Sequence, residues 1–405
     1  MVRYLAMLCA SFILWGKVTV PEKTEIYIST EELSEEGISG SEKEISEKGT
    51  FGEEMSKKEK AEEEISEEKM SEEEMKEEMA EGKQAFERVT LSFAGDISFA
   101  EGYANMASYH SRGNDIAQCI TPDLIARMDS ADIMMVNNEF TYSNRGKPLS
   151  GKTFTFRAKP ETAANLSVIS ADIVSLANNH VYDYGETALL DTLDTLKQYG
   201  VPYVGAGRNL DEAEEIVYFQ AGDIKVAYTS ATQVERSYVY TREATGTNPG
   251  VLRTYDPARF LEVIKRAEET SDFVVVYVHW GTEGVSGFEA DQQSLGHQYI
   301  DAGADLVIGD HPHCLQGIEY YKGVPIFYSL GNFWFNSKTR DTGLVEADIS
   351  DEGLLEFRFV PCLQKGCRTT LVTDAAERRR VFDFLEGISA NAVIDDAGVI
   401  REKLP

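Results

Sequence analysis

The stretch Leu306-Val307-Ile308-Gly309-Asp310-His311-Pro312-His313 decides how the chain is read. Three aliphatic residues in a row, with no polar residue alternating between them, mark a short strand buried on both faces. Glycine closes the run, and an aspartate and two histidines follow at once. Ionisable groups are costly to bury without partners. Their place directly after a buried strand therefore points to a site, since ligands of parallel sheets gather in the loops at the carboxyl ends of strands.

Four other apolar runs finish in the same way. Gly95-Asp96 follows 91–94, Asn137-Asn138-Glu139 follows 133–136, Asn178-Asn179-His180 follows 174–177, and His279 follows 274–278. Four of the six histidines stand in these positions, with only His110 and His297 elsewhere. A lone histidine is more often an ordinary core or surface residue. Two carboxylates, an amide and four imidazoles at equivalent strand ends form a donor set of oxygen and nitrogen without thiolate. Such a set suits one or two divalent ions of the Mn, Fe, Zn or Mg kind.

Further outward, the pattern predicts strands at 90–93, 132–136, 173–176, 225–229, 273–279, 306–308, 325–328, 344–349 and 354–360. Helices are predicted at 160–169, 186–199, 257–269, 291–302 and 375–386. Alternation of strand and helix argues an α/β fold, parallel at first and more antiparallel in the last third, with sheets flanked by helices. Residues 89–405 supply this domain, with the motifs in 91–335 and further strands and a helix in 344–405.

Composition sets the surroundings. The 405 residues carry a net charge of -30, from 39 Lys and Arg against 69 Asp and Glu. Segment 22–88 holds 24 glutamates and ten basic residues, hence 14 of the negative charges, while 89–405 carries -18. Nucleic acid is disfavoured as a partner, because its phosphates need a positive surface. A polytopic membrane protein is excluded, since no run approaches the roughly 20 apolar residues that span a bilayer. Segment 22–88 has too little apolar surface to offset chain entropy and reads as an acidic spacer, about 45 Å end to end as a flexible coil. Positions 4–16 are uncharged and mostly apolar between Arg3 and Lys17, as in an export signal. Segment 1–21 is thus expected to be a signal peptide or a retained N-terminal membrane anchor, and the protein exported to the cell surface. A Cys362–Cys367 disulfide would be compatible with that location.

The ordered motifs Gly95-Asp96, Asn137-Asn138-Glu139, Ala177-Asn178-Asn179-His180 with Tyr182-Asp183-Tyr184-Gly185, His279-Trp280-Gly281-Thr282-Glu283 and Gly309-Asp310-His311-Pro312-His313 resemble the bacterial CapA family. That family is named for poly-γ-glutamate capsule synthesis and is related to calcineurin-like metallophosphoesterases. Tyr328-Ser329-Leu330-Gly331-Asn332-Phe333 also fits. The resemblance implies a metallophosphoesterase-like sandwich of β-sheets flanked by α-helices, holding two metals that share a carboxylate. Asp96 and His313 would then serve one metal, Asn179, His279 and His311 the other, with Glu139 bridging and His180 as general acid. Two cations about 3.5–4 Å apart can acidify a bridging water and stabilise charge on attacking and leaving oxygens. The chain departs from the phosphatase pattern twice: Asp96-Ile97-Ser98 has serine where Asp-x-His would place a ligand, and Glu139 replaces a shorter aspartate.

Around the motifs, the acid-free span between Phe140 and Pro160 contains Arg145, Lys147, Lys152, Arg157 and Lys159. Arg157, able to grip a carboxylate or phosphate with two bonds, and Lys159 are the candidates for binding an anionic substrate. Asp183 and Glu283 are candidates for orienting the histidines. Phe333-Trp334-Phe335 reads as core and Gly205-Ala206-Gly207 as a turn. Two functions remain open. One is a metal-dependent hydrolase or transferase acting on an anionic cell-envelope polymer, favoured by the retained His180. The other is a non-catalytic component that binds polymer or membrane capsule-synthesis proteins on the same scaffold, favoured by Ser98.

Overall fold

Successive side chains of a strand point to opposite faces, and in Phe273–His279 both faces are apolar. Val275 and Tyr277 face one core while Val274, Val276 and Val278 face another, all buried. A computed structural model describes residues 27–29 and 88–403, and it shows what these faces meet. One sheet has the strand order Tyr27–Ser29, Val217–Ala221, Ile224–Thr232, Phe273–His279, Leu306–Asp310, Val324–Phe327, Ile318–Tyr321. Its middle strands, from Ile224–Thr232 to Val324–Phe327, are parallel and its margins antiparallel.

The second sheet runs Thr369–Leu371, Gly353–Gln364, Arg340–Ser350, Val89–Ile97, Ile133–Asn138, Ile173–Ser175, Tyr203–Val204. Here the strands from Val89–Ile97 onward are parallel, and the earlier ones antiparallel. Val89–Ile97 changes partner along its length: Arg340–Ser350 pairs with it as far as Ala94, and Asn332–Trp334 takes over at Asp96.

The two sheets face each other across a core that includes Phe93, Met135, Tyr228, Val275 and Ile308. Burying each such side chain contributes about 1.5–3 kcal/mol, so apolar contact dominates this layer. Three contacts fix its alignment: the Phe93 and Tyr228 rings at 6.4 Å, the Tyr277 hydroxyl donating to Ala94 O at 2.9 Å, and the Ser175 and Ser230 hydroxyls 2.8 Å apart. Helices Pro122–Asp129 and Glu186–Tyr199 cover the outside of the second sheet, and Ala258–Thr270 with Ala290–Asp301 cover the first. The α/β sandwich expected from the sequence is thus what the chain forms.

Several local expectations change. Gly205 lies between two short strands, Tyr203–Val204 and Ala206–Gly207, the latter paired with Gly250–Val251, so this is a strand crossing as well as a turn. Within the acidic segment, Tyr27–Ser29 pairs with Tyr218–Gln220, so 22–88 is not wholly spacer. The rest of that segment up to residue 87 and the signal or anchor at 1–21 lie outside the described residues. Among the described residues no helix is long and apolar enough to cross a membrane. Cys362 and Cys367 are free thiols: Cys362 belongs to the apolar core beneath the helices, while Cys367 sits in the following turn with φ +61°.

The inner faces carry the site. Ile133 and Met135 are followed at the same side by Asn137, Val275 and Tyr277 by His279, and Leu306 and Ile308 by Asp310. The apolar core therefore gives way to polar residues at one end of the sandwich, where both parallel sets of strands finish.

Candidate metal centre

Close backbone approach sets the first donor. A Cβ on Gly95 would lie 2.0 Å from Gly331 O, so only glycine admits the segment that receives Asp96 N at 2.9 Å. Asp96 then accepts from Asn137 Nδ2 at 2.9 Å and lies 3.0 Å from His313 Nδ1. Asn178 extends the chain of amides. Its Nδ2 donates to Asn137 Oδ1 at 3.0 Å and Asn138 O at 2.9 Å, and its Oδ1 accepts the backbone N–H groups of His180 and Val181. The asparagines of the second and third motifs thus hold neighbouring strand ends in register.

On the opposite sheet, His279 Nδ1 lies 2.8 Å from Asp310 Oδ1, its partner in the strand register, and Nε2 lies 2.9 Å from Asn179 Oδ1. His311 Nδ1 approaches the same Nε2 at 3.1 Å. His311 and His313 both have positive φ, 96° and 55°. Such backbone costs of order 1–3 kcal/mol in a non-glycine residue and persists only where its surroundings enforce it. Here it turns both rings back toward the strand ends, one on each side of Pro312.

Glu139 sits in the middle, fully buried, and neither carboxylate oxygen has a hydrogen-bond partner among the described residues. The Nε2 atoms of His279, His180 and His313 surround its Oε1 at 3.7, 3.8 and 3.9 Å. Possible ligand atoms form three overlapping groups: Glu139, His279 and His311; Asp96, Glu139 and His313; and Asp96, His279 and Asp310. Glu139 is common to the first two. Leaving a buried carboxylate unpaired costs several kcal/mol, and Asp310 Oδ2 and Asn332 Oδ1 are also unpartnered. The convergent oxygen and imidazole donors with these unpaired atoms fit divalent cations.

The electrostatics agree with an electron-rich cavity. Burial, then the charges of Asp96 and Asp310, push Glu139 well above the ordinary carboxylate range, and burial and Asp96 do the same to Asp310. Burial raises Asp96 too, but its hydrogen bond from His313 and that residue's charge outweigh this and leave it lowered. His279 and His311 are held well below their usual value, chiefly by burial. His313 goes the other way, because Asp96 overcomes its burial.

His180 is placed differently. Its Nδ1 lies 2.7 Å from Asp183 Oδ2, leaving Nε2 turned toward Glu139 and a cleft of about 240 Å³ that His180, His313, Ser98 and Asn332 help to line. Burial lowers its pKa, although Asp183 opposes the shift. Asp183 accepts Phe156 N at 2.6 Å and Lys152 Nζ at 2.7 Å, and Lys152 also donates to Asn179 O. Lys152 and Asp183 are almost wholly buried, with 5% and 0% side-chain exposure.

The structure redistributes the remaining candidates. Arg157 lies over the Tyr184 ring at 4.2 Å and donates to Arg145 O, while Lys159 faces Glu101 at 3.8 Å; neither lines the cleft. The member of that basic span which reaches the centre is Lys152, for which its place in an acid-free stretch was the only sequence signal. Glu283 is exposed at the rim, and Asp310 takes the place against His279. Of the aromatic run, Phe333 and Trp334 are core, whereas Phe335 also lines the cleft, 4.8 Å from the His313 ring.

The family described as "Bacterial capsule synthesis protein PGA_cap" matches residues 90–337. The "Capsule biosynthesis protein CapA" of Bacillus anthracis is 32% identical over 308 residues, covering 73% of this chain and 72% of that protein. The "PGA biosynthesis protein CapA" of Bacillus subtilis is 32% identical over 277 residues, covering 67% and 71%. Among solved structures, the calcineurin-like phosphoesterase YfkN from Bacillus subtilis matches with a TM-score of 0.34 at 14% identity, over 71% of this chain and 89% of that one.

Proposed function

The chain belongs to the bacterial capsule synthesis protein family PGA_cap, and from that premise we propose that it is an exported, metal-dependent hydrolase or transferase acting on an anionic cell-envelope polymer. The observation that carries the proposal is the His180–Asp183 pair. A scaffold that only binds has no need of an imidazole fixed by a buried carboxylate, with its other nitrogen turned to a cleft beside a cluster of ligand atoms.

Asp96, Glu139 and His313 would hold one divalent ion, and Glu139, Asn179, His279 and His311 a second. Ions there would supply Lewis-acid polarisation and neutralise charge on reacting oxygens. The chain's own residues do the rest. Asp183 accepts the Nδ1 proton of His180 and so fixes the tautomer in which Nε2 can take up or deliver a proton. Lys152 holds Asp183 in place, and the Phe156 ring, 4.2 Å from that of His180, limits its rotation and excludes water from one face.

Metal analysis of the purified protein, with turnover assays on phosphoesters and γ-glutamyl amides, tests this reading. His180→Ala should retain its metal and lose about 10²–10⁴-fold in turnover, the usual range for a positioned acid or base. Undiminished turnover would overturn it. Ser98, standing where a ligand histidine would complete the Asp96 group, supports a second reading in which the protein is a non-catalytic assembly component. That reading is favoured if metal-loaded protein turns over neither substrate class. Export is checked by fractionating cells and sequencing the mature N-terminus.

A further inference from the structure

The cleft beside His180 and His313 has a composition unlike the rest of the acidic surface. Tyr103, Phe154, Phe156 and Phe335 supply aromatic walls, and Lys338 and Arg340 are its lining cations. Phe154 is 58% exposed, a large apolar group left open to solvent at this place. Glu283 is the one carboxylate among the residues lining the cleft.

Many cations among the described residues are matched to acids, as Arg127 is to Glu346, Arg145 to Asp191 and Lys152 to Asp183. Lys338 and Arg340 have no ion-pair partner among the described residues. Asp341, next in sequence and the natural candidate, points to the other face of its strand, where Arg380 grips it with two bonds of 2.9 and 2.7 Å. In a chain of net charge -30, two unpaired cations within one aromatic-walled cleft favour an anionic ligand with an apolar arm.

We propose that this cleft is the subsite that reads the substrate, with Lys338 and Arg340 binding a pendant carboxylate of a γ-linked glutamyl chain while its methylenes lie on Tyr103, Phe154 and Phe335. The inference rests on the polymer class proposed above and assigns recognition to residues that no motif contains. A γ-linked glutamyl unit presents one free carboxylate and two methylenes in its repeat. Arg340 can grip the former with two parallel bonds, and aromatic faces accommodate the latter. The arrangement holds a chain alongside His180 without using any of the ligand atoms.

Equilibrium binding of γ-linked tetraglutamate to the full-length His180→Ala protein, by calorimetry, separates recognition from turnover. Each charge-assisted contact is worth roughly tenfold or more in affinity. Lys338→Glu with Arg340→Glu should therefore weaken binding at least a hundredfold, and Arg340→Lys should recover part of it. The neutral carboxamide analogue of the tetramer should bind the parent protein as poorly as the tetramer binds the double variant. Arg157→Glu with Lys159→Glu should change binding less than threefold. Melting curves matching the parent confirm that the variants are folded. No binding by the parent protein, equal binding by the Lys338/Arg340 variant, or a larger effect from the Arg157/Lys159 pair each overturns the subsite. Tetraglutamate that binds through the two cations, yet is never turned over by the metal-loaded wild type, overturns the catalytic reading and leaves the subsite standing.

Discussion

The two halves of the centre differ in what they surrender to solvent. Around His279 everything is closed: its side chain is wholly buried, Asp310 holds one nitrogen, and Asn179 and His311 crowd the other. Around Asp96 the packing is looser. His313 keeps 17% of its side chain exposed, Ser98 offers a hydroxyl where a ring could stand, and the cleft opens alongside. Burial lowers the pKa of both His279 and His313, and only at His313 do the hydrogen bond and charge of a carboxylate, Asp96, outweigh it. On the function proposed above, the closed half would serve as a fixed anchor and the open half would exchange with ligand.

The largest test breaks the halves at their shared member. Glu139→Ala should abolish metal binding on both sides, read as loss of essentially all bound metal by elemental analysis. Retention of a full ion in that variant would show that the halves are independent. Next comes the lysine behind the open half. Lys152→Met leaves Asp183 buried without its counter-charge, a change that typically costs about 3–5 kcal/mol. Denaturant unfolding should show that loss, and a change below about 1 kcal/mol would mean that Asp183 is not held by Lys152. The smallest effect sharpens the comparison. Ser98→His supplies a nitrogen to the poorer half and should tighten metal binding about tenfold, a typical tuning range for groups around a metal. An unchanged affinity would show that ligand number does not distinguish the two sides.

Much of this was legible in the sequence, because strands buried on both faces are written as plain apolar runs and polar residues at their ends stand out. What escaped depended on lateral neighbours. Asp310 was in view, but its role follows from lying opposite His279 in a parallel register, which neither residue's own surroundings reveal. Lys152 belonged to a recognised basic span, yet which of five cations turns inward depends on the path of its loop; Arg157 found an aromatic ring first. The marginal strands Val217–Ala221 and Ile318–Tyr321 mix polar and apolar residues and so carry a weaker periodic signal. Lys338 and Arg340 were invisible as a pair because no spacing rule marks a cation by the partner it lacks.

The change of partner along Val89–Ile97 has a consequence for how the protein can diversify. Asn332–Trp334 and Arg340–Ser350 both dock on that strand, so the short link between them, which carries Lys338, is tied down at either end, by Asn332–Trp334 along Asp96 and Ile97 and by Arg340 against Gln364. Replacing a few residues of that link would alter the wall of the cleft without moving any donor of the centre. On the function proposed above, a lineage could therefore swap one cassette of roughly the size of a common surface loop and inherit a new ligand preference while the cluster of donor atoms stays in place.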